Sequence, residues 1–381
     1  MKNKASVVIV GGGITGTSTA FSLAKRGVKD IVLIEREGLA SGATGRCGAG
    51  IRQQWGTYQN CLLARESMKV FENFQEVLGT DIDIELKQKG YLLLAYSEKE
   101  MDQFRRNVEV QHQLDIPSRL VSCREAKEIV PFLNTEKMLG GAFCPTDGHA
   151  NPFLATKAYA KAAERLGVEI LMKTEVKAIT VVNNRIKGVH TSQGFIETDK
   201  VVNAAGGWSA QIGEMAGLHL PVYSERHEIL VTEPVNPIMD PMVMSFSYNI
   251  YCQQTPHGSF IMGYGPQNEP RGYNVNATWQ FLETMARKAA WLLPPLKNMR
   301  IVRQWAGLYN MSPDRQPIVC ESEIVKGFFM GIGFSGHGFM IAPAVGTLLA
   351  DLITGSPLTW DVVLDLGRYD RHETIAEPSV V

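Results

Sequence analysis

Gly11, Gly13 and Gly16 stand in a G-x-G-x-x-G spacing, with Ile14 and Thr15 between the last two, directly after the apolar run Val7 to Val10. That spacing suits a dinucleotide. The first glycine permits a tight turn, the second lets a pyrophosphate approach the backbone, and the third lets the following helix pack closely on the strand. Glu35 ends the next apolar run and can accept hydrogen bonds from both hydroxyls of an adenosine ribose, while its charge would repel a 2′-phosphate and so disfavours NADP. Arg36 beside it joins the same candidate contacts. A lone glycine triad is a weak signal, but here strand, turn, helix, strand and acid follow in register.

Three further runs of small residues separate FAD from NAD. Ser41 to Gly50 reads SGATGRCGAG and offers Ser41, Thr44, Gly45, Arg46, Gly48 and Gly50, then Ile51, where a long ligand would continue past its pyrophosphate. Ala205, Gly206 and Trp208 close a later strand and again let backbone approach a ligand. Gly333, Gly336, His337 and Gly338 lie in GIGFSGHG, ahead of a long apolar helix that opens with Phe339 and Met340. The start of such a helix has unpaired N–H groups and a positive dipole end, which suits the edge of a flavin that becomes anionic on reduction. Four turns of this kind point to FAD.

The elements that must position these residues read as an α/β chain, α+β overall. Ala5 to Val10 is a strand, Gly11 to Gly16 a turn, Thr17 to Arg26 a helix and Asp30 to Ile34 a second buried strand, which makes a βαβ unit. Pro152 to Leu166 reads as a helix with proline in its first turn, followed by the strand Val168 to Met172. Short β runs follow, with Asn183-Asn184 as a hairpin turn between the first two. From Leu220 to about Arg303 the pattern changes to strands around one helix, Thr278 to Leu292, and the chain then returns to a strand, Gly327 to Gly333, and the helix Phe339 to Ile353. The expectation is a Rossmann-like FAD-binding domain of residues 1–80, 150–219 and 320–381, interleaved with a substrate domain of residues 81–149 and 220–319 built on a mixed or antiparallel sheet. Only the tail after Tyr369 reads as loosely held.

Composition excludes several classes. Among 381 residues, 38 Lys and Arg balance 39 Asp and Glu, so no large field exists to gather nucleic acid or an anionic membrane, and the partner should be small. No apolar run reaches the roughly 20 residues needed to span a bilayer, and the polar lead Met1 to Ser6 does not resemble a secretory signal. A cytoplasmic protein is expected. The 6 cysteines are spread without a C-x-x-C, which suggests neither a zinc site nor a disulfide framework, and no metal is expected.

With VVIVGGGITG and Glu35, SGATGRCGAG, DKVVNAAGGWS, RQWAGLYNMSPDRQPIV and GFSGHGFMIAPAVG all present, the chain resembles the D-amino-acid oxidase superfamily along nearly its whole length. The similarity falls in the branch of glycine and sarcosine oxidases and of the beta subunits of heteromeric sarcosine oxidase and dye-linked proline dehydrogenase. It implies FAD extended through one domain, with substrate between the flavin face and the second domain's sheet. It also implies backbone contacts from Val176 to the adenine.

Departures from the pattern refine this. Ile261-Met262 precede Gly263-Tyr264 where monomeric sarcosine oxidases carry an oxygen-activating lysine, and Gly307 falls near the cysteine that tethers their FAD, so the flavin should be non-covalent. Met340 replaces a carboxylate-binding lysine, as in the proline dehydrogenase beta subunits, and Tyr309 stands where glycine oxidases place an arginine. Pro152 occupies the place of the histidine that attaches a second flavin in heterotetrameric sarcosine oxidases, which leaves open a non-covalent FMN at a subunit interface.

For the substrate, Arg52 matches the sarcosine oxidase arginine that clamps a carboxylate in two parallel bonds, with a domain-bridging arginine as the plain alternative. Tyr251, on a strand of the substrate sheet, could close the pocket and bond the same carboxylate. His337 could touch the flavin by side chain or backbone N–H, and Trp305, His227 and Tyr309 are candidate walls. No firm catalytic base is present, which a hydride donor such as a neutral amine tolerates. The leading reading is an FAD-dependent dehydrogenase of a small secondary amine or amino acid of the proline, hydroxyproline, sarcosine or opine type, acting as the beta subunit of a hetero-oligomer with a second redox subunit. The alternatives are an oxygen-using oxidase that makes peroxide and a flavin-bearing relay subunit whose partner binds the substrate.

Overall fold

The computed structural model describes residues 3–265, 268–374 and 376–379. Met1 and Lys2 of the polar lead lie outside the described residues, as do Ile375, Val380 and Val381 of the tail. A six-stranded sheet runs in the order Ile318–Glu321, Phe328–Ile332, Val201–Asn203, Val7–Val10, Ile31–Ile34, Glu169–Leu171. It draws its strands from the start, middle and end of the chain. Its neighbours pair in parallel except for the first two, which form an antiparallel hairpin.

Side chains alternate across each strand, so one strand feeds two cores. Val7 and Ile9 face a core shared with the helices Ile14–Lys25, Tyr58–Glu72, Pro152–Arg165 and Gly338–Thr354. Val8 and Val10 face the opposite way, onto the three-stranded meander of Val176–Val182, Arg185–Thr191 and Gly194–Glu197. Burial on both faces explains why these strands read as continuous apolar runs. Asn183 and Asn184 take φ 50° and 55°, so both central residues of that hairpin turn are left-handed, as an asparagine pair allows.

An eight-stranded sheet orders Ile301–Met311, Tyr223–Thr232, Phe260–Tyr264, Ile250–Gln254, Met242–Ser245, Tyr91–Ala95, Gly140–Cys144 and Arg119–Val121. It is antiparallel except where Met242–Ser245 pairs with Tyr91–Ala95. Leu92, Leu94, Val243, Cys252 and Met262 pack under the helix Trp279–Leu292. The alternate residues Tyr91, Met242, Met244 and Tyr251 face the other way.

Two readings change. The first helix begins at Ile14, not Thr17, because only Gly11 is left-handed (φ 117°) and Gly13 is already its extended N-cap. The tail is anchored at two described residues: residues 370–374 are exposed, but Glu377 is 2% and Ser379 1% exposed, since their polar groups find partners in the body of the protein. Among the described residues no helix is long and apolar enough to cross a membrane.

Candidate active site

All four glycine-rich turns meet at one cavity of about 480 Å³ between the two large sheets. Gly11 is forced by packing: a Cβ there would lie 2.3 Å from the carbonyl oxygen of Ala204, and one on Gly16 would lie 2.0 Å from that of Gly11. The N-cap Gly13 provides no side-chain cap, and the helix after it opens on the cavity through Ile14 and Thr15, with only the Ile14 N–H engaged by Thr44 Oγ1 at 3.1 Å. Glu35 is held in place on the cavity wall. One carboxylate oxygen accepts the Gly12 N–H at 2.7 Å, and the other accepts the Glu37 N–H at 2.7 Å and the Ser41 hydroxyl at 3.4 Å. Arg36 lies over the Trp208 ring at 4.7 Å, and Val176, Ala205 and Gly206 complete this end.

The second glycine run carries the chain from this end to the eight-stranded sheet. Arg46 donates to the carbonyls of Ala306 (2.7 Å) and Ser41 (3.0 Å), and a Cβ on Gly307 would meet Arg46 Cβ at 3.1 Å. Gly48 accepts from Gln253 Nε2 at 2.6 Å, and Gly50 sits against the Tyr91 hydroxyl. Cys47 also lines the cavity, but burial pushes its thiol up to about 11, so it is no thiolate at neutral pH. On the third side, the helix Gly338–Thr354 begins at the wall formed by Gly336, Gly338, Phe339 and Met340, with no side-chain cap and no acidic residue in its first turn. Two uncapped helix starts and backbone brought close by glycine fit the phosphates and ring of FAD.

Five of the expected residues shape this cavity without lining it. Gly16 packs on Gly11, Gly45 on Phe153 and Ala40, Gly333 beside Ser312, and Ile51 is fully buried. His337 is the fifth. Its ring turns to Trp55, 4.7 Å between centroids, neither ring nitrogen has a partner, and its backbone N–H is bonded to the Phe334 carbonyl. Burial, with the Arg52 charge beside it, pushes it down to about 3, so it is neutral.

Arg52 reaches the cavity at 3% exposure. Its Nη1 donates to the Gln54 carbonyl at 3.1 Å, its Nη2 to the Ser379 carbonyl at 2.6 Å, and the guanidinium stacks on Trp55 at 3.8 Å. Nε has no partner, and among the described residues no carboxylate forms an ion pair with this charge. The nearby Asp147 carboxylate is instead bonded to Gln53 and Gln54, and burial pushes it up to about 6. Beyond Arg52, His227 stacks between Tyr309 (4.2 Å, 2°) and Tyr251 (5.7 Å, 10°), with His227 Nε2 and the Tyr251 hydroxyl 3.1 Å apart. Burial pushes His227 down to about 4 and Tyr251 well up, so both are neutral. Trp305 stays off the wall and donates to the Arg46 carbonyl. Sequence reasoning missed Trp55, Tyr91, Met242 and Met244; the two-residue alternation along their strands could have found the last three, and nothing local marks the tail.

Fold and cavity together define a dinucleotide-binding α/β protein whose second sheet closes over the cofactor channel. The chain belongs to the FAD dependent oxidoreductase family, whose model matches residues 6–352. FAD is the cofactor of that family. The chain is 29% identical to sarcosine oxidase subunit beta of Rhodobacter capsulatus over 383 residues, 99% of this chain and 91% of that protein. It is 29% identical to human mitochondrial dimethylglycine dehydrogenase, covering 98% of this chain and 45% of that protein. Among solved structures, L-proline dehydrogenase from P. horikoshii superposes with a TM-score of 0.91 at 39% identity, over 98% of this chain and 99% of that one.

Proposed function

We propose that this protein is an FAD-dependent dehydrogenase that oxidises the C–N bond of a small secondary amine or amino acid bearing a carboxylate, and that it passes the electrons to a second redox subunit. The observation that carries this reading is Arg52, a buried guanidinium with two of its five N–H donors on neutral carbonyls and no carboxylate partner among the described residues. A buried charge of this kind calls for an anion. FAD, when bound, supplies the acceptor for the two electrons and the hydrogen leaving the α-carbon.

The chain's own residues do the rest. Arg52 and the Tyr251 hydroxyl hold the carboxylate, which fixes the face the α-carbon presents. Trp55, Tyr91, Ile229, Met242 and Met244 wall the chamber without a carboxylate, so the ammonium form is disfavoured and the amine binds deprotonated. The start of the helix at Gly338 turns N–H groups toward negative charge that develops nearby. The names of the relatives, sarcosine oxidase subunit beta and L-proline dehydrogenase, support the substrate class, and the first supports a partner subunit.

Ile261 favours a dehydrogenase over an oxidase. This apolar side chain comes within 3.9 Å of where a Cβ on Gly48 would stand, so no cation is offered there to stabilise superoxide. A screen of amines and amino acids with a dye acceptor tests the substrate class. Mixing the dithionite-reduced protein with air-saturated buffer tests the acceptor: minutes-long reoxidation is expected, and completion within a second with stoichiometric peroxide would establish an oxidase.

A further inference from the structure

We infer that the segment Glu377 to Ser379 is a positioning element for the substrate, seating Arg52 from behind the carboxylate pocket. This rests on Arg52 being the substrate arginine. The helix Tyr58–Glu72 starts four residues after Trp55's neighbour Gln54, and its N-cap Thr57 makes no cap bond of its own. Glu377 caps it from the other end of the chain. One of its carboxylate oxygens accepts the Gly56 N–H at 2.8 Å and the Ser379 N–H at 3.0 Å. The other accepts the Thr57 N–H at 3.1 Å, the Thr57 hydroxyl at 2.7 Å and Asn60 Nδ2 at 2.9 Å. The carboxylate therefore rests on a helix start, where its charge is favoured.

Around that anchor the segment is tightly fitted. A Cβ on Gly56 would come within 2.3 Å of Pro378, the Ser379 hydroxyl accepts from Asn107 Nδ2 at 3.0 Å, and the Glu377 N–H donates to the Asp314 carbonyl at 3.3 Å. This presents the Ser379 carbonyl to Arg52 Nη2 at 2.6 Å. A carbonyl orients a guanidinium without neutralising it. The only carboxylate of the segment described in the structure is engaged elsewhere, so the positive charge of Arg52 stays available to the substrate while its rotamer is fixed. With the segment gone, Arg52 would be loosely held and hydrated, and carboxylate affinity would fall with little effect on the chemical step at saturation.

The test uses the FAD-loaded protein and propionate, a carboxylate with no oxidisable amine, with its Kd read from the perturbation of flavin absorbance. Deletion of residues 374–381 and, separately, Glu377→Ala in the full chain should each weaken propionate at least tenfold with FAD content unchanged, and Glu377→Gln should recover part of the loss. For L-proline or sarcosine, whichever the dye-linked screen turns over, KM should rise by a similar factor and kcat stay within twofold. In an Arg52→Ala background Glu377→Ala should add nothing further. A lowered Tm with unchanged propionate Kd, or loss of FAD in place of weakened propionate, would overturn the proposal and leave the segment a helix cap. If the deletion does not fold, Glu377→Ala decides. Arg52→Ala without effect on propionate overturns the reading of Arg52 and this inference with it, whereas a weakened Arg52→Ala beside unaffected tail variants overturns this inference alone.

Discussion

Two arginines in this protein are buried almost completely, and they are treated in opposite ways. Arg368, 1% exposed, makes a two-bond pair with Asp314 (2.8 and 3.1 Å) and adds the carbonyls of Asp365 and Gln316 and the Tyr369 hydroxyl. Arg52, 3% exposed, is met by two carbonyls and the face of Trp55. The carboxylates nearby follow suit. Burial pushes Asp314 up, but the bonds and charge of Arg368 outweigh it and hold the group below its ordinary value. Asp147, on the Arg52 side, is pushed up to about 6. Arg368 is paired with a carboxylate at bonding distance, whereas among the described residues no carboxylate bonds Arg52, and the charges of Glu377 and Asp147 act on it only through space. That difference fits a structural role for Arg368 and supports the binding role proposed for Arg52, although both are almost fully buried.

The largest loss of stability is expected at Arg368. Arg368→Ala would leave Asp314 buried without its cation, and removing one partner of a buried pair costs about 3–5 kcal/mol. Denaturant unfolding should show this loss in full. Arg52→Ala removes a charge that no carboxylate bonds among the described residues and should change global stability far less; equal losses in the two variants would erase the distinction.

Asp147 and Asp314 should also differ in sign with pH. Asp147 is raised from 3.8 to about 6 on folding, so its contribution is fully present below pH 3.8 and is lost as pH rises through 6, by about 3 kcal/mol. Asp314 is lowered, so its contribution is present above 3.8 and is lost as pH falls through its folded value. Unfolding free energies measured from pH 3 to 7 should therefore gain between 4 and 6 from Asp147→Asn relative to the parent, and lose their acid-side slope in Asp314→Asn. Parallel curves for the two variants would remove the contrast.

For function the larger effect belongs to Arg52. Losing a charge-assisted pair in a shielded site costs about 1.5–3 kcal/mol, or roughly ten- to a hundredfold in kcat/KM. Arg52→Ala with normal FAD and unchanged kinetics on an amino acid would take Arg52 out of the site.

What could be read in the sequence follows from how local each feature is. The turn at Gly11, the uncapped helix after Gly13 and Glu35 at a strand end are set by neighbours a few residues away, and spacing reveals them. Arg52 and Tyr251 were legible as candidates because one follows a glycine run and the other lies on an alternating strand. The surroundings of His337 were not legible: its position in a G-H-G turn is local, but its ring lies against Trp55 and near the charge of Arg52, which arrive from the other end of the chain. The anchor at Glu377 escaped notice for the same reason, since the helix-start groups its carboxylate caps lie 317 to 321 positions away.

The smallest effect is expected at Tyr251, where two roles can be told apart. Its hydroxyl lies 3.1 Å from His227 Nε2, and its ring stacks on His227 at 10°. Tyr251→Phe keeps the stack and removes only the O–H. A neutral hydrogen bond is worth about 0.5–1.5 kcal/mol, so a loss of two- to tenfold in kcat/KM is expected. If the hydroxyl bonds the substrate carboxylate beside Arg52, the loss lies in KM, and propionate weakens by the same factor. A hydroxyl that only orients His227 would leave propionate unchanged, and His227→Asn would then reproduce the phenotype of Tyr251→Phe. Since no carboxylate among the described residues bonds Arg52, the first outcome is expected: a neutral donor that adds to the guanidinium helps bring an anion in, and His227, held neutral by burial, can accept from Tyr251 only when that anion is absent.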